Sequence, residues 1–386
     1  MAIPFRTVLA QNKGQVRICE AHDRTSIELV RDTIADNGQF FDGIWISGLT
    51  QTTHLGIPDT ELISPLQRAI LMTPVYKPMQ KNGRPLCATF DADSGGDVKD
   101  IPALVSVLAI NGVSMVIIED KPVARPGGKV NSLLAKSNIQ GQADMHAFAK
   151  VIRAFKAAAA ERDVMITARI ESFTTRLAKS DPDEEQRSFR AALEDALTRA
   201  EVYTNAGADA IMIHSRSKEP DEILKFLKDF RARDATTPLV VVPTTYCKTK
   251  RRVLAAAGAN VFIYANHLMR AKIKAAAEMV EKGLAENPEL FARDDELRLC
   301  VEARNYGCLL RKLGERRCLG EWDDSREDHL CGLAAEKDAI EKIRGVVKDL
   351  AGGQLSGCEA DDRIIAVDEL LKINACHVSP LEHMRG

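Results

Sequence analysis

Leu86-Cys-Ala-Thr-Phe90 is a short apolar run that stops on Asp91-Ala-Asp93. Seven further runs of the same kind end close to a polar group. Val16–Cys19 precedes Glu20-Ala-His22, Ile44–Ile46 precedes Ser47-Gly-Leu49, and Met115–Ile118 precedes Glu119-Asp-Lys121. Val164–Thr167 leads to Arg169-Ile-Glu171, Ala210–Ile213 to His214-Ser215, Leu239–Val242 to Pro243-Thr244, and Val261–Tyr264 to Asn266-His267. Short apolar runs bounded by turn residues read as buried strands. Helical patterns separate them: Ser26–Ile34, Ile101–Ile110, Met145–Ala160, Gln186–Ala206, Asp221–Arg233 and Lys250–Ala257. Asp144 is an N-cap and Gly207 a C-cap for two of these. Strand–helix alternation at this spacing argues for parallel βα units. A doubly wound open sheet shares that alternation, but eight units with regular polar ends favour a (β/α)8 TIM-type barrel. Such a barrel gathers the C-terminal ends of its strands on one face, and that face carries the active site.

Composition fits this picture. The chain has 386 residues, 45% of them hydrophobic, with 53 Lys+Arg against 55 Asp+Glu. One barrel needs about 250 residues, so material remains for an extension. We assign residues 1–286 to the barrel and 287–386 to a helical C-terminal extension. A net charge of −2 and a pI near 6.5 give no electrostatic case for nucleic acid. Residues 1–15 lack the apolar core of a signal peptide, and no apolar run approaches a membrane span of about 20 residues. Nine cysteines without a CxxC pair read as reduced thiols of a cytoplasmic chain.

Asp91 and Asp93 stand two apart, which in an extended segment puts both carboxylates on one face. Two carboxylates this close need a positive charge between them. A hard divalent cation with oxygen ligands, Mg²⁺ or else Mn²⁺, supplies it. Glu119 at the next strand end adds a third carboxylate, and Asp59 in the loop His54–Thr60 adds a fourth through water. Pro122–Leu133 is rich in Pro, Gly and Lys and cannot continue as helix or strand. It reads as a lid over the mouth, delivering Lys129, Asn131 and Ser132 to a substrate. Arg169 offers a fork that suits carboxylate or phosphoryl oxygens, with His214 beside it.

These residues resemble the phosphoenolpyruvate mutase/isocitrate lyase superfamily over roughly 16–283. The resemblance rests on Glu20-Ala-His22, Trp45-Ile-Ser-Gly-Leu49, Leu55-Gly-Ile-Pro-Asp59, Asp91-Ala-Asp-Ser-Gly95, Glu119-Asp-Lys121, Lys129-Val-Asn-Ser-Leu133, Ala168-Arg-Ile-Glu-Ser-Phe173, Ala206–Ser215 and Val242-Pro-Thr244. Lyases of that superfamily carry a cysteine in the gating loop; here Asn131 stands in its place, as in the mutases. The resemblance implies a mutase interconverting phosphoenolpyruvate and phosphonopyruvate, with a phosphonopyruvate hydrolase or a carbon–carbon lyase as the alternative. It implies Asp91, Asp93 and Glu119 at the metal and Asp59, Lys129, Asn131, Arg169 and His214 in catalysis. Trp45, Ser47, Gly48, Leu49, Ser132 and Leu133 would contact a small-molecule substrate, the N–H groups of Gly48 and Leu49 steadying an enolate oxygen. It also implies a homo-oligomer, dimer or tetramer, with a terminal helix swapped between subunits.

The sequence departs from the mutases at two places. Pro122–Gly128 is about four residues longer, and the turn after Asp93 reads Ser-Gly-Gly-Asp where mutases have Thr-Gly-Tyr-Gly. Beyond residue 287 six cysteines occur in spacings that match no zinc motif, so they read as buried thiols.

Overall fold

The structure is a computed structural model that describes residues 3–35, 38–72, 79–81, 84–122, 126–129, 141–176 and 179–286. The extension 287–386 and its cysteines therefore lie outside the described residues, as do Asn131, Ser132 and Leu133. Two compact units are present: residues 1–23 with 41–266, and residues 24–40 with 267–386. The first is a barrel. The described helices of the second are Arg24–Asp32 and His267–Glu286.

Nine strands occur among the described residues of the first unit. They are β1 (Val16–Glu20), β2 (Gly43–Ile46), β3 (Met79–Lys81), β4 (Arg84–Asp91), β5 (Met115–Glu119), β6 (Met165–Ile170), β7 (Ala210–Ile213), β8 (Leu239–Val241) and β9 (Val261–Tyr264). Parallel pairing runs β2-β1-β9-β8-β7-β6-β5-β4, and β4 pairs back onto β2, closing eight parallel strands into a barrel. β3 is a short antiparallel addition to β4. Three residues are too few for an alternation to show, so β3 leaves no strand pattern in the sequence.

Period-two alternation builds the interior. Val16 and Ile18 of β1, Trp45 of β2, Cys87 of β4, and Met115 and Ile117 of β5 belong to one buried cluster. Met165, Ala210, Met212, Val240, Val261 and Ile263 complete the ring, joined by Phe5 and Val8 from helix Phe5–Gln11. Residues two apart on a strand face the same side. The same parity, continued upward, reaches Glu20, Ser47, Asp91, Glu119, Arg169 and His214. Dry core and polar mouth are thus one face of the same strands. Gly43 lets β2 approach β4: a Cβ there would lie 2.5 Å from Cys87 Sγ and 2.9 Å from its carbonyl oxygen.

Helix boundaries follow local chemistry. Asp144 caps helix Met145–Ala158 by accepting from Ala147 N at 2.8 Å. Helix Pro182–Asn205 begins four residues before the expected Gln186, because Asp181 caps Glu184 N at 2.9 Å and Pro182 occupies the first turn. Asp183, Glu184 and Glu185 then favour the positive helix end. Cys19 and Cys87 are buried free thiols. No helix of the described residues is long and apolar enough to cross a membrane.

Candidate active site

The mouth is assembled from strand ends and from the segment after β2. One cavity is lined by Trp45, Ser47, Leu49, Asp59, Asp91, Glu119, Lys121, Lys129, Arg169 and His214, with apolar Met212 and Val242 beneath. Gly48 opens helix Gly48–His54 and donates its N–H to Asp91 Oδ2 at 3.2 Å. A Cβ on Gly48 would lie 3.1 Å from Asp93 Oδ1, 3.3 Å from Asp91 Oδ2 and 3.6 Å from Asp59 Oδ1. Three carboxylates therefore converge on one backbone that has no side chain to keep them apart.

Asp91 and Asp93 do not meet by strand alternation. Asp93 has φ 49°, in the left-handed region, and its N–H donates to Asp91 Oδ1 at 3.2 Å. The strand has ended and the chain is already turning, which corrects the extended-segment reading while leaving both carboxyls together. Asp93 is held by Arg68 Nη2 at 2.5 Å and by the Lys129 ammonium. Burial alone would raise its pKa, but Arg68 and Lys129 outweigh burial and hold it below the ordinary range. Asp91 is raised instead, by burial first and by neighbouring Asp93 second.

Arg68 comes from helix Pro65–Leu71, begun by a reciprocal capping box between Ser64 and Gln67. Only 1% of it is exposed. It donates to the Asp91 carbonyl at 2.5 Å and to Gln51 Oε1 at 3.1 Å, and it lies 4.9 Å over the Phe90 ring. Glu61 accepts from Ser94 N and Ser94 Oγ, each at 3.2 Å. That contact gives the Ser-Gly-Gly-Asp turn a partner in the Asp59 loop. Burial, then Asp93, pushes Glu61 up to about 7.

Lys129 is not an outlying lid residue. It is 7% exposed and also lies 3.5 Å from Asp59 and 3.6 Å from Glu119. Its backbone N–H donates to Thr60 O at 3.2 Å, so this part of the segment rests on the Asp59 loop. Burial opposes its charge, but Asp93, Glu119, Asp59 and Asp91 together raise its pKa.

On the opposite wall Arg169 Nε meets Glu171 Oε1 at 2.5 Å and Arg169 Nη2 meets Glu119 Oε2 at 3.2 Å. Arg169 Nη2 also lies 2.9 Å from His214 Nδ1. Burial, then Arg169, lowers the His214 pKa, so its imidazole is neutral. Arginine only donates, so the 2.9 Å contact calls for a lone pair on Nδ1 and places the proton on Nε2. His214 Nδ1 also stands 3.1 Å from Glu171 Oε1, a contact that would want the other tautomer; the shorter one decides.

The donor set fits a divalent cation. Among the described residues both buried Glu119 oxygens lack a hydrogen bond, and they have ion-pair partners at 3.2–3.6 Å. Oxygens of Glu61, Asp93 and Glu119 lie within 4.8 Å of one another. Asp59, Glu61, Asp91, Asp93, Glu119 and Glu171 meet Arg68, Lys121, Lys129 and Arg169, two more carboxylates than cations among these residues. An all-oxygen set suits Mg²⁺ or Mn²⁺.

Residues 5–284 match the family model of phosphoenolpyruvate phosphomutase. The chain belongs to the phosphoenolpyruvate phosphomutase family. It is an enzyme of the phosphoenolpyruvate mutase/isocitrate lyase superfamily. It is 33% identical over 271 residues to the phosphoenolpyruvate phosphomutase of Tetrahymena pyriformis, covering 70% of this chain and 79% of that one. It is 31% identical over 240 residues to a phosphonopyruvate hydrolase of Variovorax sp. (strain Pal2), covering 62% and 74%. The solved phosphoenolpyruvate phosphomutase of Streptomyces platensis subsp. rosaceus superposes with a TM-score of 0.59 at 32% identity, covering 73% of this chain and 86% of that one.

Within this family framework, the expected residues divide clearly. Trp45, Ser47, Leu49, Asp59, Asp91, Glu119, Lys129, Arg169 and His214 share the cavity, and Gly48 and Asp93 touch its carboxylates. Glu61 and Arg68 were not anticipated. Neither follows a strand, so neither carries the strand-end signal. Lys121 and Glu171 stand in recognised motifs without an assigned role; Lys121 lies 3.4 Å from Glu119, and Glu171 anchors Arg169.

Proposed function

We propose that this enzyme interconverts phosphoenolpyruvate and phosphonopyruvate using Mg²⁺, with Mn²⁺ as the substitute. Lys129-Val-Asn131 carries the reading. Lys129 is pinned among the mouth carboxylates, and two residues later the sequence has an amide where lyases have an acid. An amide has no proton to give an enolate at neutral pH, but it can hydrogen-bond a phosphoryl oxygen.

Asp91, Asp93, Glu119, Asp59 and Glu61 would hold the cation directly or through water. When bound, the cation supplies positive charge to the substrate carboxylate and enolate oxygens. Arg169, oriented by Glu171, binds phosphoryl oxygens through its fork. His214 donates Nε2–H to the same group, with Ser47 and Asn131 completing its cradle. Gly48 N–H is engaged with Asp91, so the Leu49 N–H steadies the enolate oxygen. The P–O bond breaks through a loose, metaphosphate-like state. The enolate then presents C3 to phosphorus, and the P–C bond forms. Water must stay out, or the phosphoryl group is lost to hydrolysis. Residues 1–286 are the catalytic domain in this reading, and 287–386 extend a cytoplasmic homo-oligomer.

A hydrolase is the second reading, favoured by 31% identity to the Variovorax protein, close to the 33% found with Tetrahymena. Phosphorus NMR of the purified protein with phosphonopyruvate and Mg²⁺ separates the two. Phosphoenolpyruvate as the main product is expected. Pyruvate and inorganic phosphate would establish the hydrolase, and inertness toward phosphonopyruvate with cleavage of a 2-hydroxy dicarboxylate would establish a lyase. Asn131→Ala should slow turnover by more than about tenfold, the scale of one charge-assisted hydrogen bond of about 1.5–3 kcal/mol.

A further inference from the structure

A second cluster of metal-ligating side chains lies where β1 ends, and none of its three members lines the cavity of the mouth. Glu20 is the last residue of β1 and is fully buried. Its Oε1 lies 2.6 Å from His22 Nδ1. The His22 side chain is 2% exposed. A buried carboxylate at that distance holds a proton on Nδ1, so Nε2 is the ring nitrogen that would bind a metal. Metal-binding histidines are oriented this way, by a carboxylate on the ring nitrogen that does not ligate.

His22 Nε2 faces two further donors. Asp23 Oδ2 lies 3.4 Å away, longer than an ordinary N–H···O hydrogen bond of about 2.7–3.2 Å. The His54 ring is tilted by 48° with its centroid 5.7 Å from that of His22. One ligand atom from each of His22, Asp23 and His54 falls within a set no wider than 4.8 Å. Tetrahedral zinc with bonds of about 2.0–2.2 Å holds its ligand atoms about 3.3–3.6 Å apart. Closing the set takes ångström-scale side-chain movement. His54 is exposed and Asp23 partly so, leaving an ion a way in and a fourth position open to water.

We propose that His22, Asp23 and His54 form a transition-metal site, with Glu20 orienting His22, that takes Zn²⁺ and is independent of the Mg²⁺-type mouth. The donor chemistry separates the two sites. Two imidazoles and one carboxylate select Zn²⁺ or a neighbouring late transition metal, whereas an all-oxygen set selects Mg²⁺ or Mn²⁺. The position suggests a consequence. His54 ends the helix that Gly48 begins, and the segment to Asp59 and Glu61 follows directly. A metal on His54 would tether that helix and loop to the end of β1.

The test is zinc uptake by the metal-stripped full chain, measured by competition with a chromophoric chelator, and cobalt uptake followed by its tetrahedral d–d absorption. Wild-type protein should bind one more equivalent than His54→Ala, with the d–d bands weakened in that variant. His22→Gln should weaken the affinity at least about tenfold, the scale on which ligands and their supporting groups act. Asp91→Ala should leave this equivalent intact. The surface position of His54 makes its variant safe for folding; thermal unfolding of each variant checks this. Equal zinc uptake by wild type and His54→Ala would overturn the proposal, because the ion then binds elsewhere, the cysteines included. Loss of the equivalent in Asp91→Ala would overturn it too, placing the ion in the mouth. Neither outcome bears on the mutase reading, which the phosphorus experiment tests alone.

Discussion

The two ends of the barrel interior are lined by the same strands at the same parity, yet they obey opposite rules. Below, Val16, Met115, Met165, Ala210 and Val261 pack without a polar group. Above, Asp91, Glu119 and His214 are buried and Arg169 is 14% exposed, and all four carry charge or hydrogen-bonding groups. The lower end is stabilised by non-directional burial, where each side chain contributes largely on its own. The upper end holds only because each charge has named partners, so removing one exposes the cost of burying the others. A barrel mouth is thus stabilised locally by pairing and globally by the dry layer beneath it.

Activity offers the sharpest break between the two ends. Asp91→Ala, or excess chelator, should lower turnover by about a hundredfold to a thousandfold while the circular dichroism spectrum stays native. Full turnover in excess EDTA would end the metal reading of the upper end.

Stability should respond next at Asp93. Arg68 is 1% exposed and depends on Asp93, as does Lys129. Asp93→Ala leaves buried cations short of a partner and should cost about 3–5 kcal/mol in urea unfolding. A loss below about 1 kcal/mol would mean that water already reaches Arg68.

At the dry end, Met115→Ala deletes a fully buried side chain and should cost about 2–5 kcal/mol. Mg²⁺ affinity, read by calorimetry, should not change. A fall in affinity would show that the layers are coupled and the contrast between them is false.

The smallest expected effect concerns Glu61 in metal-free protein. Its pKa is raised from 4.5 to about 7, mainly by burial. A raised carboxyl contributes stability that is complete below about 4.5 and is lost as pH rises through about 7. In EDTA the melting temperature should therefore fall across that window, and Glu61→Gln should flatten the fall. Saturating Mg²⁺ should reverse the slope. An identical pH profile for wild type and Glu61→Gln would remove Glu61 from the charge cluster.

The barrel and the strand-end part of its mouth are written in the order of residues along the chain. Asp91, Glu119, Arg169 and His214 were legible because a parallel strand leaves a local record: an apolar run, then a polar residue in the inward parity. Lys129 was legible as a residue type, though its burial among carboxylates was not. The brief strand Met79–Lys81 and the helices Gly48–His54 and Pro65–Leu71 left no such record, being too short for a period to show. Only the tertiary structure brought Arg68 under Asp93, Glu61 against Ser94, and His54 toward His22. Those pairings join segments whose separation along the chain has no periodicity. They are selected by charge and by the space that Gly48 leaves open, quantities that exist only once the barrel has closed.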